Sequence, residues 1–166
     1  MDRDGHQLVV RIRGYRAEDA SPLSGLYVQS VEQLGCRDYS AEQVAAWVSL
    51  APSPERLHDL IRDGRVRLVA ADGSDRPVAF ADLKSDGHIH FFYCLPEAAG
   101  QGVASALYDK VERFARDRAL NSLYAEASEA ACRFFLKKGF TVLSKRQFDV
   151  AGVPIHNYAV EKTLGR

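Results

Sequence analysis

The residues whose types and spacing suggest chemistry begin with Cys94-Leu95-Pro96-Glu97-Ala98-Ala99-Gly100-Gln101-Gly102-Val103-Ala104-Ser105. An apolar, aromatic strand pattern from His88 to Leu95 stops at a proline. Two glycines follow, and then a small-residue helix pattern begins. The first turn of a helix carries unpaired N–H groups and the positive end of the dipole. Glycine lets a phosphate come close to those groups. The run therefore reads as an anion cradle made of backbone. A P-loop needs Lys and then Ser or Thr after its second glycine, and Val103 and Ala104 stand there instead. A dinucleotide fingerprint needs a third glycine, and that position is Ser105, in the middle of the chain.

A third cradle fits. Ala99-Gly100-Gln101-Gly102-Val103-Ala104 resembles the pyrophosphate loop of the GNAT acetyltransferase superfamily, Gln/Arg-x-x-Gly-x-Gly/Ala, with Ala99 in place of the Gln or Arg. A second segment, Ser128 to Phe140, resembles the family's later helix and strand, Asn-x-x-Ala-x-x-Phe-Tyr-x-Lys-x-Gly-Phe. Ala131, Phe134, Lys137, Gly139 and Phe140 fit, and Lys138 adds a second lysine. Ser128 replaces the usual Asn and Phe135 the usual Tyr. Gly139 reads as the left-handed glycine that closes a helix. The two segments lie in family order and at family spacing.

The resemblance implies an α/β fold: one GNAT domain over residues 1–166, with 1–6 a flexible tail. It implies a mixed central sheet with splayed parallel strands, flanked by helices. It also implies acetyl-CoA as the acyl donor, and no metal. Phe92, Tyr93 and Cys94 would give main-chain contacts to the pantetheine arm, and an N–H near Cys94 would polarise the thioester carbonyl. Gly100, Gln101, Gly102, Val103, Ala104 and Ser105 would cradle the pyrophosphate, with Ser128 and Phe135 nearer the thiol end. The implied reaction moves an acetyl group to a primary amine of a small molecule or peptide by direct attack. An acyl-CoA-binding module with weak or no catalysis is the alternative, because Ala99 and Phe135 replace a cofactor contact and a proton donor.

Acyl transfer to an amine needs a base for the ammonium and an acid for the departing thiolate. His90 shares a strand face with Cys94, and its neutral form accepts protons near physiological pH. Glu126 lies near the end of the next strand pattern, Tyr124-Ala125-Glu126-Ala127-Ser128. His88 shares the face of His90, further from that end. Phe135 has no ionisable proton, so Tyr93, Tyr124 and Tyr158 are the acid candidates, with Tyr124 on the same strand as Glu126. Tyr27, Tyr39 and Trp47 are candidates for an aromatic acceptor wall, and His156 and Asn157 for a contribution from the last strand. Plainer readings stand beside these: a solvated strand end for Glu126, a partly exposed strand histidine for His90, core packing for Trp47. Cys94 reads better as a small buried hydrophobe than as a nucleophile.

These groups must be positioned by a folded chain. With 166 residues, 46% of them hydrophobic, one domain has room for a real core. The formal net charge is zero, which argues against nucleic-acid or membrane partners that rely on bulk charge. No apolar run reaches the roughly 20 residues of a membrane span, and Met1 to Gly5 has no signal-peptide core. Cys36, Cys94 and Cys132 show neither metal-ligand nor disulfide spacing. A reduced, cytoplasmic protein follows, and family habit adds a homodimer.

The hydrophobic periods predict a strand over Leu8–Ile12 and a helix opened by Arg16–Asp19, carrying Leu23, Leu26, Tyr27, Val31 and Leu34. Ser40–Gln43 is a capping box. A short helix over Glu55–Asp63 follows two prolines. Strands are predicted over Val66–Ala71, Pro77–Leu83 and His88–Leu95. The helix after the cradle carries the stripe Val103, Leu107, Val111 and Phe114. A strand over Leu123–Ala127, a helix through Phe135, and strands over Phe140–Val150 and Ile155–Val160 complete the pattern.

Overall fold

A computed structural model describes residues 8–165; the expected tail over 1–6 lies outside them. In chain order the elements are β1 (Arg11–Gly14), α1 (Ala20–Leu34), α2 (Ala41–Val48), α3 (Pro54–Asp59), β2 (Val66–Ala71), β3 (Pro77–Leu83), β4 (Ile89–Cys94), α4 (Val103–Asp117), β5 (Ser122–Ala127), α5 (Glu129–Lys137), β6 (Thr141–Val150) and β7 (Val153–Thr163). Short 3-10 turns at Ala17–Asp19, Gly35–Arg37, Leu60–Asp63 and Pro96–Ala98 join them. The first strand sits later than the apolar pattern suggests. Arg11 pairs with Ala71, the last residue of β2, so Leu8–Val10 run past the end of their partner.

Local chemistry explains several boundaries. The Ser40 hydroxyl accepts the Gln43 N–H at 3.1 Å and the Gln43 side chain accepts the Ser40 N–H at 3.0 Å, so the capping box opens α2 as read. Ser128 caps α5 by accepting the Ala131 N–H at 3.3 Å. In α4, Val103, Leu107, Tyr108, Val111 and Ala115 are buried, the stripe that a 3.6-residue period places on one face.

The sheet differs from the expected mixed sheet with splayed parallel strands. β1-β2-β3-β4 form one antiparallel sheet and β5-β7-β6 a second, also antiparallel. The two meet in a single parallel bridge, His88 to Tyr124, where the Tyr124 N–H donates to the Gly87 carbonyl at 3.0 Å. Gly87 makes this contact possible. Its φ is +94°, and a Cβ there would run into the Ser122 carbonyl oxygen. The core is continuous across both sheets: Leu23, Leu26 and Tyr27 of α1, all of β3, and Leu123, Ala125 and Val160 of the second sheet.

One residue of β3 breaks the apolar rule. Asp82 is fully buried. The Arg67 guanidinium donates to both its oxygens, at 2.6 and 2.8 Å, and Arg65 donates at 2.9 Å. Arg67 also donates to the Leu57 carbonyl at 2.8 Å. A charge buried this deeply persists because it is paired and hydrogen-bonded.

Candidate active site

The chain leaves β4, turns through Pro96–Ala98 and enters α4 at Gly102. Gly100 and Gly102 are both left-handed, at φ +74° and +78°. Among the described residues, no side chain caps the first turn of α4, and open space surrounds both glycines where a side chain would begin. The N–H groups of that turn are therefore available to an anion. The Gln101 side chain braces the loop instead: it accepts the Leu8 N–H at 2.8 Å and donates to the Glu97 carbonyl at 3.1 Å. Val103 points into the core. Ser105 accepts from Lys138 Nζ at 2.5 Å, and Lys138 also bonds Asp109 at 3.1 Å. A cation thus stands at the first turn of α4, delivered from the end of α5. In the sequence Lys138 stands only as a motif neighbour, because nothing in the chain order places it beside Ser105.

Beyond the cradle lies a cavity of about 350 Å³. One wall comes from α1 and α2 with the loop between them, through Val31, Leu34, Asp38, Tyr39, Val44 and Trp47. The other comes from β4, the end of β5 and the start of α5. Of the residues singled out in the sequence, His90, Phe92, Tyr93, Cys94, Gly100, Ala104, Glu126, Ser128, Phe135, Tyr39 and Trp47 line this one space. Phe135 forms part of its floor, packed among Phe92, Phe134, Tyr108 and Phe140 with ring centroids 4.8–6.3 Å apart. Gln101, Gly102, Val103 and Ser105 belong to the loop and the first turn of α4 beside it, and His88, Asn157 and Tyr158 also lie outside the lining, as do three further candidates. Tyr27 is buried behind Tyr93, 4.5 Å between ring centroids. Tyr124 and His156 face other partners.

The Tyr124 hydroxyl donates to Asp86 at 2.6 Å, and its ring stacks on His88 at 4.7 Å. The Asp86 carboxylate pushes that hydroxyl up to about 12. This geometry directs the Tyr124 proton away from the cavity. His88 Nε2–H donates to Glu126 at 2.6 Å. That hydrogen bond, against some loss of solvation, holds Glu126 below the usual carboxylate range, so Glu126 is ionised at neutral pH.

His90 sits under different constraints. Arg65 donates to its Nδ1 at 2.8 Å. A guanidinium cannot accept, so Nδ1 carries the lone pair and the ring proton is on Nε2. Desolvation, then the nearby Arg65 and His88 charges, push the imidazole down to about 4. Arg65 is in turn held by Asp63 and Asp82. A neutral donor results, with its basic nitrogen already occupied. Burial pushes the Cys94 thiol up to about 11, which favours the protonated form and weakens a nucleophilic role.

His156 Nε2–H donates to Glu129 at 2.6 Å, and the Tyr158 hydroxyl donates to the same oxygen at 2.8 Å. The Tyr39 hydroxyl donates to the His156 carbonyl at 3.1 Å and accepts the Glu129 N–H at 3.0 Å. This knot ties β7 to the start of α5 and fixes the Tyr39 ring in the cavity wall. Asp38 is bound by both terminal nitrogens of Arg133, at 3.0 and 3.2 Å. Among the described residues no group of three or more His, Cys, Asp or Glu is placed to hold a metal ion.

Comparison with known proteins gives this geometry a context. Residues 36–162 match the family model described as an acetyltransferase (GNAT) domain. The uncharacterized N-acetyltransferase YafP of Escherichia coli K12 is 24% identical over 149 residues, 90% of this chain and 93% of YafP. The uncharacterized N-acetyltransferase YjcF of Bacillus subtilis 168 is 25% identical over 135 residues, 80% of this chain and 95% of YjcF. Among solved structures, a GCN5-related N-acetyltransferase from Rhodopseudomonas palustris is 33% identical with a TM-score of 0.85, over 94% of this chain and 96% of that one. The PaiA N-acetyltransferase of Thermoplasma acidophilum, solved with coenzyme A, shares the fold at 20% identity and a TM-score of 0.74, over 95% and 100% of the two chains. A glycine-led, uncapped helix start opening on a cavity between the two sheets is thus set within a matched family domain: the chain belongs to the GNAT acetyltransferases.

Proposed function

We propose that this enzyme moves an acetyl group from acetyl-CoA to a primary amine of a small molecule or peptide by direct attack. One observation carries the reading. A backbone anion cradle and an ionised carboxylate, Glu126, stand at two ends of one cavity. The cradle chemistry suits a pyrophosphate, since open N–H groups at a left-handed glycine accept an anion without steric penalty. The PaiA structure with coenzyme A supports this choice of donor. When bound, acetyl-CoA supplies an activated thioester.

The protein's residues then divide the work. The first turn of α4, with Lys138 beside it, holds negative charge. Main-chain groups of Phe92, Tyr93 and Cys94 align the donor along β4. Glu126 receives the ammonium and takes its proton, while the His88 Nε2–H holds Oε2 in place. His90, neutral with a proton on Nε2, offers a hydrogen bond and leaves the base role to Glu126. The free thiols of Cys36, Cys94 and Cys132 fit a reducing, cytoplasmic setting.

One observation favours a slow version of this reaction. Phe135 fills the site of the usual tyrosine, Tyr124 donates to Asp86 and Tyr158 to Glu129. Tyr93 lines the cavity, but burial raises its pKa and makes it a weak acid, which leaves water to protonate the departing thiolate. The test pairs calorimetry with thiol release. Saturable binding of acetyl-CoA, and thiol release that depends on an added amine, are the expected results. Absence of acetyl-CoA binding would overturn the reading. Binding without amine-dependent release would leave a module that only holds acyl-CoA.

A further inference from the structure

We infer that the acceptor is a compact primary amine carrying one positive charge on an apolar body. The inference rests on the acetyl-CoA reading above and narrows it to a substrate class.

The wall opposite β4 carries it. Val31 and Leu34 from α1, and Val44 and Trp47 from α2, present hydrocarbon and an indole ring. Tyr39 presents its ring alone, because its hydroxyl is occupied by the His156 carbonyl and the Glu129 N–H. The ring packs on Trp47 at 5.4 Å between centroids, so the aromatic wall is fixed before a ligand arrives. Such a surface gains affinity by covering apolar area. Ser30 adds one hydroxyl to it, but that cannot replace the water lost by several hydroxyls or a second ammonium.

Charge points the same way. Asp38 lines the cavity, but the Arg133 guanidinium binds it through two nitrogens. Glu126 remains the ionised carboxylate for an incoming cation, and His88 engages its Oε2. One carboxylate matches one ammonium. A polyamine or an aminosugar would bring further polar groups against Val31, Leu34, Val44 and the two rings. Size limits the class as well, since about 350 Å³ must hold the reactive end of the donor and the acceptor together.

The test uses wild-type protein, acetyl-CoA and the linear amines from propylamine to hexylamine. To these are added 2-phenylethylamine, 1,4-diaminobutane, glucosamine and a lysine-containing peptide. Product is measured by thiol release and mass spectrometry. The value of kcat/KM should climb about fourfold per methylene, the equivalent of ~0.8 kcal/mol per buried CH₂, until the wall is covered. Phenylethylamine should exceed propylamine at least tenfold. Diaminobutane should fall at least tenfold below butylamine, because its second ammonium meets the apolar wall. A flat or falling series, or preference for the diamine, the aminosugar or the peptide, overturns the inference. If acetyl-CoA binds by calorimetry and none of these amines is acetylated, the inference fails while the donor reading stands. If acetyl-CoA does not bind, the donor reading itself fails. Val44 is half-buried and packs against core residues, so Val44→Lys is first checked for a wild-type fold by circular dichroism. It should lower kcat/KM for hexylamine at least tenfold with the acetyl-CoA dissociation constant within about twofold. An unchanged hexylamine rate in folded Val44→Lys protein also overturns the inference.

Discussion

The two ends of the cavity are built in different ways. The proposed donor end is one stretch of chain, from Cys94 to Ser105, and what it offers is backbone: left-handed glycines and the open first turn of α4. The end proposed to handle protons is a set of side chains from distant segments. Arg65 precedes β2, Asp82 lies in β3, His88 and His90 belong to the β4 segment, and Glu126 comes from β5. A backbone site needs only the right local conformation. A side-chain site needs a support, and here the support is a buried ion network that reaches His90 through Arg65. The donor end should therefore fail locally when altered, whereas cutting the ion network should make the far end fail together with the fold.

The strongest way to break that contrast is Asp82→Ala. It leaves the Arg65 and Arg67 guanidinium groups buried without their shared carboxylate. Breaking a buried pair from one side costs about 3–5 kcal/mol, roughly 10 °C in melting temperature for a domain of this size. Thermal unfolding followed by circular dichroism measures it. A melting point within about 2 °C of wild type would show that the network is not a support.

Next in size is Glu126→Gln, which keeps the shape and removes the charge. Loss of a general base lowers the rate by about a hundredfold or more, with the acetyl-CoA dissociation constant unchanged. Because Glu126 is held below the usual carboxylate range, its own titration places an activity loss only at acid pH, as pH falls through its lowered pKa. A wild-type rate in the variant would move the base elsewhere.

At the donor end, Gly102→Val puts a β-branched residue at φ +78°, a conformation that L-residues avoid by about 1–2 kcal/mol. The surrounding space is open, so the core is not disturbed and the strain falls on the cradle. Acetyl-CoA affinity should weaken at least tenfold, about 1.4 kcal/mol, read by calorimetry on folded protein. Equal affinity would remove the cradle from the donor site.

The smallest effect concerns His90 and pH. Its imidazole is pushed down to about 4 from 6.5. Between those values the unfolded chain binds more protons than the folded one. The contribution to stability is complete above pH 6.5 and is lost as pH falls toward 4. Denaturant melts across this window should show that slope in wild type and a shallower one in His90→Phe. NMR should find the His90 ring neutral at pH 6. A ring that titrates near 6.5 would mean that Arg65 does not occupy Nδ1.

What the chain order made legible follows from the range of the forces involved. The hydrophobic periods, the Ser40 capping box, the Gly139 turn and the glycine loop act over a few residues, so they stand in the sequence in nearly final form. β2 and β3 begin and end where the pattern placed them. The residues lining the cavity from β4 and the glycine loop were found for the same reason. The two-sheet arrangement was not legible, because it depends on which strand edges meet. That is decided at Gly87, where the absence of a side chain lets the Ser122 backbone approach. Asp82 was hidden inside an apolar strand, since its two arginines come from another segment.

The sequence by itself determined the order and type of the elements, the glycine-led start of α4 and the family. Those rest on local conformation and on motifs that are contiguous in the chain. The tertiary structure alone decided the state of each candidate side chain. It turned Tyr124 toward Asp86, gave the lone pair of His90 to Arg65, tied Glu126 to His88 and brought Lys138 beside Ser105. A hydrogen bond or charge acts only at a few ångströms, and folding alone sets which groups come that close.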